Sequence, residues 1–101
     1  MVSIIEVTDE LTQLGARLRE LRLTRDDSMQ VFAQRIGVSV PTLRAMERGL
    51  PTVAIGHWAH ALWVLDKLQD LSSVMPPTDS PLDLARRSTA ATRQRASRRK
   101  P

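Results

Sequence analysis

The chain has 101 residues, 42% of them hydrophobic and 26% charged, which suffices for one modest core or a smaller domain with a tail and is too little for several domains. Cysteine is absent and aromatics make up only 3% (Phe32, Trp58, Trp63), so disulfide-stapled scaffolds, thiol nucleophiles and thiolate zinc sites are excluded, and an aliphatic core favours an all-α fold. A formal charge of +4 and a pI near 11.0 suggest an anionic partner, to a degree that depends on where the charge lies.

Residues 1–8 form an N-terminal segment. Its β-branched Val2, Ile4, Ile5 and Val7 suit either a fraying end or a short strand paired across a dimer. The domain proper is expected over residues 9–74. Thr8-Asp9-Glu10 offers a cap and an acidic first turn, after which Leu11, Leu14, Leu18 and Leu21 recur at helical spacing. The opposite face of this helix carries Arg17, Arg19, Glu20 and Arg22, and the polar run Thr24-Arg25-Asp26-Asp27 should end it. Ser28 can cap a second helix in which Phe32, Ala33 and Ile36 share a face, and Gly37 stops it. Ser39 caps a third, Val40 to Arg48, with Pro41 in the first turn where no hydrogen bond is lost and Gly49 just beyond its end.

That arrangement is helix, tight turn, helix. Two helices that cross closely need a small residue at the crossing (Ala33), a residue tolerant of positive φ in the turn (Gly37), and apolar inward positions (Phe32, Ile36, Val38, Leu43, Met46). Farther on, Ile55, Trp58, Ala59, Leu62 and Leu65 give a fourth helical face, and Leu68 and Leu71 continue into a short fifth helix.

The last stretch, residues 75–101, reads as a proline-containing linker and a basic tail. Pro76, Pro77 and Pro81 deny helix and sheet their backbone donors. Met1 to Thr78 holds eight Lys or Arg against nine Asp or Glu, a net −1, whereas Asp79 to Pro101 holds seven against two, a net +5. The basicity therefore belongs to a tail with no large apolar residue after Leu84, a composition expected to be disordered when unbound.

Leu18-Arg19-Glu20-Leu21-Arg22, Ser28 with Phe32-Ala33, Ile36-Gly37-Val38-Ser39, and Thr42-Leu43 with Met46-Glu47-Arg48-Gly49 together resemble the lambda-repressor/Cro-like helix-turn-helix domain, the Xre family, from about Leu11 to Leu65. The resemblance implies a five-helix domain whose third helix lies in the DNA major groove. Ser39, Val40, Pro41 and Arg44 would then contact bases: Val40 and Pro41 through thymine methyls, Arg44 through a bidentate bond to guanine. Ser28, Met29, Thr42 and Arg48 would stand against phosphates, although Met29 occupies a position where relatives usually carry glutamine and cannot donate a hydrogen bond. Arg22 and Glu47 would pair to tie the third helix to the first. The segment Leu50 to Leu62 with the Leu-rich end and basic tail also looks like the HipB-type antitoxins of that family, which repress their own operon and bind a HipA-type kinase toxin.

The expected protein is thus a sequence-specific repressor acting as a homodimer on an inverted-repeat operator in double-stranded DNA, located in the cytoplasm and with the nucleoid when bound. Trp63, Val64, Leu68 and Leu71, extended by Val2 and Ile4, are the candidate dimer contacts. The alternatives are a phage- or plasmid-type Xre regulator without a toxin partner, and a helical interaction module that binds no DNA. Catalysis is not expected, since no Gly-rich phosphate loop and no serine or carboxylate at a catalytic spacing from histidine is present. No cofactor is expected, and His57 and His60, a pair without a third ligand, read as surface polarity rather than a metal site. No apolar run nears the ~20 residues of a membrane span, and Met1 to Glu6 lacks a signal peptide's basic flank. Trp58 is expected in the core.

Overall fold

A computed structural model describes residues 4–78 and 81–98, with side chains through residue 93. Every regular element among the described residues is helical: α1 (Ile4–Thr24), α2 (Met29–Ile36), α3 (Val40–Glu47), α4 (Ile55–Val64), a 3₁₀ turn (Leu68–Asp70) running into α5 (Leu71–Val74), and α6 (Pro81–Arg98). The chain divides into two compact units, Met1–Leu71 and Ser72–Pro101.

Helix α1 begins earlier than its sequence suggests. Residues 4–7, candidates for a strand, are its first turn, and Thr8 is no cap: its hydroxyl donates to the Ile4 carbonyl at 2.9 Å. Nothing between Ile4 and Leu14 breaks a helix, and a β-branched residue lowers helix propensity only slightly. Val2 lies outside the described residues. At the other end the chain turns through Asp26 at φ 58°.

The next two helices are delimited by local chemistry. The Ser28 side chain accepts the Val31 amide at 3.2 Å, and that of Ser39 accepts the Thr42 amide at 3.2 Å, each satisfying one of the orphan donors of a helix start. Gly37 ends α2 in the left-handed conformation, φ 77° and ψ 30°, where a Cβ would be strained. Val38 N–H then reaches back to the Ala33 carbonyl at 3.0 Å, a Schellman closure that swings the chain into α3. At the end of α3 the Leu50 amide donates to the Ala45 carbonyl at 3.1 Å, with Gly49 at φ 73°.

Leu18, Phe32, Ala33, Ile36, Leu43, Met46 and Ala61 form the buried core, and Met29, Val38, Val40, Val53, Trp58, Val64 and Leu65 pack around it half-buried. Trp58 thus serves the core as its sequence position suggests, whereas Ile55, at the first position of α4, is 73% exposed. The buried stripe of α1 is Gly15, Leu18 and Arg22, so Arg22 is not on the solvent face that its charge indicates. Gly15 marks the crossing with α3: a Cβ there would lie 2.6 Å from the carbonyl oxygens of both Met46 and Glu47, a separation no side chain tolerates. Between α1 and α4, Leu14, Leu21, Trp58, Leu62 and Leu65 line an apolar groove of about 420 Å³ edged by Arg17, Glu20, Lys67 and Asp70.

The basic segment carries more order than its composition suggests, since Pro81–Arg98 is helical. Proline is tolerated in a first helical turn, and the Ala, Arg and Gln that follow are good helix formers. Thr78 anchors the start of α6: its hydroxyl meets the Asp83 carboxylate at 2.9 Å, and its carbonyl accepts from Arg87 Nη2 at 2.7 Å.

Candidate nucleic-acid interface

Helix α3 is fixed on its inner side by the fully buried Leu43 and Met46. With 3.6 residues per turn, Pro41, Arg44 and Arg48 then fall on the outer side, and all three are exposed, as is Ser39 at the cap. This is a short cationic ridge on a rigid base. Thr42 is half-buried, and its hydroxyl accepts from Ser39 Oγ at 3.0 Å, so both hydroxyls are already engaged at the start of the helix. Ser28, at the head of α2, is exposed.

Two of the expected contact residues are less available. Met29 and Val40 both pack against the core, so each offers only part of its side chain to a ligand. The structure brings Ser39, Pro41, Arg44 and Arg48 together on α3, with Ser28 capping the neighbouring helix.

The connection between α1 and α3 is electrostatic as well as steric. Arg22 Nε donates to Glu47 Oε2 at 2.6 Å and Nη2 to Oε1 at 3.1 Å, while Nη1 donates to the Asp27 carbonyl at 3.0 Å. The two side chains are 8% and 6% exposed. A bidentate guanidinium–carboxylate bond fixes relative orientation as well as distance, so the last turn of α3 cannot rotate on α1 without breaking it. The hydrogen bond to Glu47 is the main cause that raises the Arg22 pKa above the ordinary arginine value, against the opposing cost of burial and with smaller help from the charges of Glu47 and Asp27. Glu47 thereby sits next to Arg48 in sequence yet points its charge inward, leaving the outer side of α3 cationic.

A second concavity was not legible in the sequence. Pro41, Thr42 and Ala45 of α3 form one wall of a groove of about 370 Å³ whose other wall is Thr52, Val53, Ala54 and His57. The loop after Gly49 has no periodicity to mark it, and His57 is distinctive only once α4 is set beside α3. His60 is exposed, and no group of three or more His, Cys, Asp or Glu among the described residues is arranged to hold a metal.

The dimer candidates divide in the same way. Trp63 is 68% and Leu68 42% exposed, Leu71 is half-buried, and Val64 packs on the core. Ile4 is 82% exposed on the first turn of α1. No helix among the described residues is long and apolar enough to cross a membrane.

No curated protein and no solved structure matches the chain. A family described as the helix-turn-helix domain does match, over residues 13–68. The matched span begins inside α1, contains both capped helices and the Gly37 turn, and ends at the 3₁₀ turn. It covers more than half of the 101 residues, and the chain belongs to the helix-turn-helix domain family.

Proposed function

We propose that the protein is a sequence-specific DNA-binding transcriptional repressor that works as a homodimer on an inverted-repeat operator. The observation that carries this reading is the outer side of α3, where Ser39, Pro41, Arg44 and Arg48 are exposed on a helix held by core packing and by the Arg22–Glu47 bond. An α-helix fits the major groove of B-DNA, and an arginine on its outer face can make a bidentate bond to guanine. Arg44 takes that role, Pro41 and the open part of Val40 meet thymine methyls, and Ser28, Thr42 and Arg48 meet phosphates. Thr52 and His57, across the groove from Pro41 and Thr42, join the flanking contacts. Met29, half-buried against the core, offers the phosphates only part of its side chain.

Specific affinity favours a dimer. One recognition helix spans few base pairs, and the net charge of −1 over Met1 to Thr78 supplies no general attraction, so two half-sites are required. Exposed Trp63 and Leu68 are the apolar surface for an isologous contact. Selection from a pool of random duplexes tests the reading: the expected product is an inverted repeat with half-sites about one helical turn apart or a multiple of it, and a pool with no enriched motif counts against it.

The resemblance to HipB-type antitoxins adds a kinase toxin of the HipA type as protein partner, with the complex repressing its own operon. The apolar groove between α1 and α4 favours this second partner, because none of its lining residues belongs to α2 or α3 and DNA and protein need not compete for it. Co-purification with a kinase-like product of a neighbouring gene is expected, and a Leu62→Glu variant should lose it.

A further inference from the structure

Helix α6 carries a second cationic surface, apart from that of α3. Arg86 and Arg93 stand two turns apart, about 10.5 Å along the axis at 1.5 Å per residue, and Ala85, Thr89 and Ala90 lie with them on one shallow concave face. Small side chains between two guanidinium groups allow a close approach to the helix backbone. Arg87, by contrast, is engaged at the helix start with the Thr78 carbonyl.

We infer that this face of α6 binds the sugar-phosphate backbone of the duplex, independently of sequence, and supplies electrostatic affinity that the helix-turn-helix unit lacks. The inference rests on the DNA-binding reading above. Three observations carry it. The charge is segregated, −1 up to Thr78 and +5 from Asp79 onward, so the surplus of positive charge that attracts a polyanion lies in the second part. All the described cations of α6 are arginine, whose fork matches phosphate geometry. After Leu84 the helix has no large apolar residue, whereas a helix that docks in a protein groove needs apolar anchors at helical spacing, and one that lies on a lipid surface needs an apolar face. Phosphate needs neither. Binding would also relieve the repulsion among the arginines and so strengthen the helix.

The test compares the full-length wild type with an Arg86→Gln, Arg93→Gln variant by fluorescence anisotropy, on a duplex recovered by selection and on a random duplex, from 50 to 200 mM salt. At about 0.9 unit of slope per phosphate contact, the variant should lose about 1.8 units per protomer on both duplexes, so that its affinity deficit shrinks about 12-fold per protomer across that range. An Arg86→Lys, Arg93→Lys variant should keep most of the slope. A glutamine variant with an unchanged slope, as an acidic protein partner for α6 would give, overturns the inference, and so does a loss confined to the selected duplex. A wild type that binds neither duplex instead overturns the DNA-binding reading beneath it. Both variants alter exposed side chains, and an unchanged thermal transition of the core confirms that folding is not what the slope reports.

Discussion

Replacing Glu47 by Ala should destabilise the helix-turn-helix unit far more than an ordinary surface substitution. Arg22 and Glu47 are 8% and 6% exposed, so solvent screens them little, and the substitution leaves a guanidinium buried with one remaining acceptor, the Asp27 carbonyl. Breaking such a pair from one side costs about 3–5 kcal/mol. Against a total stability of about 5–15 kcal/mol, that is a large share, and at roughly 4–8 °C per kcal/mol for a domain of this size it lowers Tm by about 12–40 °C. Because the Arg22 pKa is raised, its contribution is fully present below the unfolded-state value and is lost only as pH climbs through the higher folded value, so Arg22 produces no loss at neutral pH. Urea denaturation of the wild type, Glu47→Ala, Arg22→Met and the double variant closes the cycle. The double variant should be more stable than the Glu47→Ala single, since it leaves no unpaired charge in the buried site. A Glu47→Ala cost under about 1 kcal/mol, or simple additivity across the cycle, would refute the reasoning.

Gly15→Ala should lower stability by about 1–3 kcal/mol in the same assay, because the new Cβ meets two carbonyl oxygens of α3 at 2.6 Å and the gain of roughly 1 kcal/mol in helix propensity is smaller; a stabilised variant would show that the helices do not cross so closely. Arg48→Ala is expected to weaken binding to every duplex alike and to reduce the salt slope by about one unit, and an unchanged slope would remove Arg48 from the interface. The free wild type should sediment as a dimer at tens of micromolar (roughly, for a modest interface) and the Leu68→Glu, Leu71→Glu variant as a monomer, while a variant that still dimerises would put the contact elsewhere.

Much of the fold is legible because its punctuation is local. Ser28, Gly37, Ser39, Pro41 and Gly49 each act within a few residues of their own position, through a cap, a left-handed turn or a missing amide, so the bounds of α2 and α3 follow from neighbouring residues. What escaped the sequence depends on distant partners. Gly15 carries no local signal of a crossing until Met46 and Glu47 are brought against it, and helical spacing puts Arg22 on the solvent face, so that only the family resemblance pairs it with the carboxylate 25 residues away. Thr8 looks like a cap but bonds backwards inside a longer helix. The expected contact set on α3 is what the family resemblance implies, whereas the withdrawal of Met29 and Val40 towards the core and the approach of His57 to Pro41 and Thr42 are products of packing. Composition reports the want of a core in the basic segment and says little about a helix begun by proline and anchored at Thr78.

Whether α3 reads base sequence is decided by the affinity of an Arg44→Ala variant for a selected duplex and for its single-base-pair variants. The expected loss is about 1–3 kcal/mol, concentrated at one base pair of each half-site, with discrimination there relaxed and other positions unaffected. A loss equal on every sequence would instead make Arg44 a phosphate contact and would contradict base reading by this helix face.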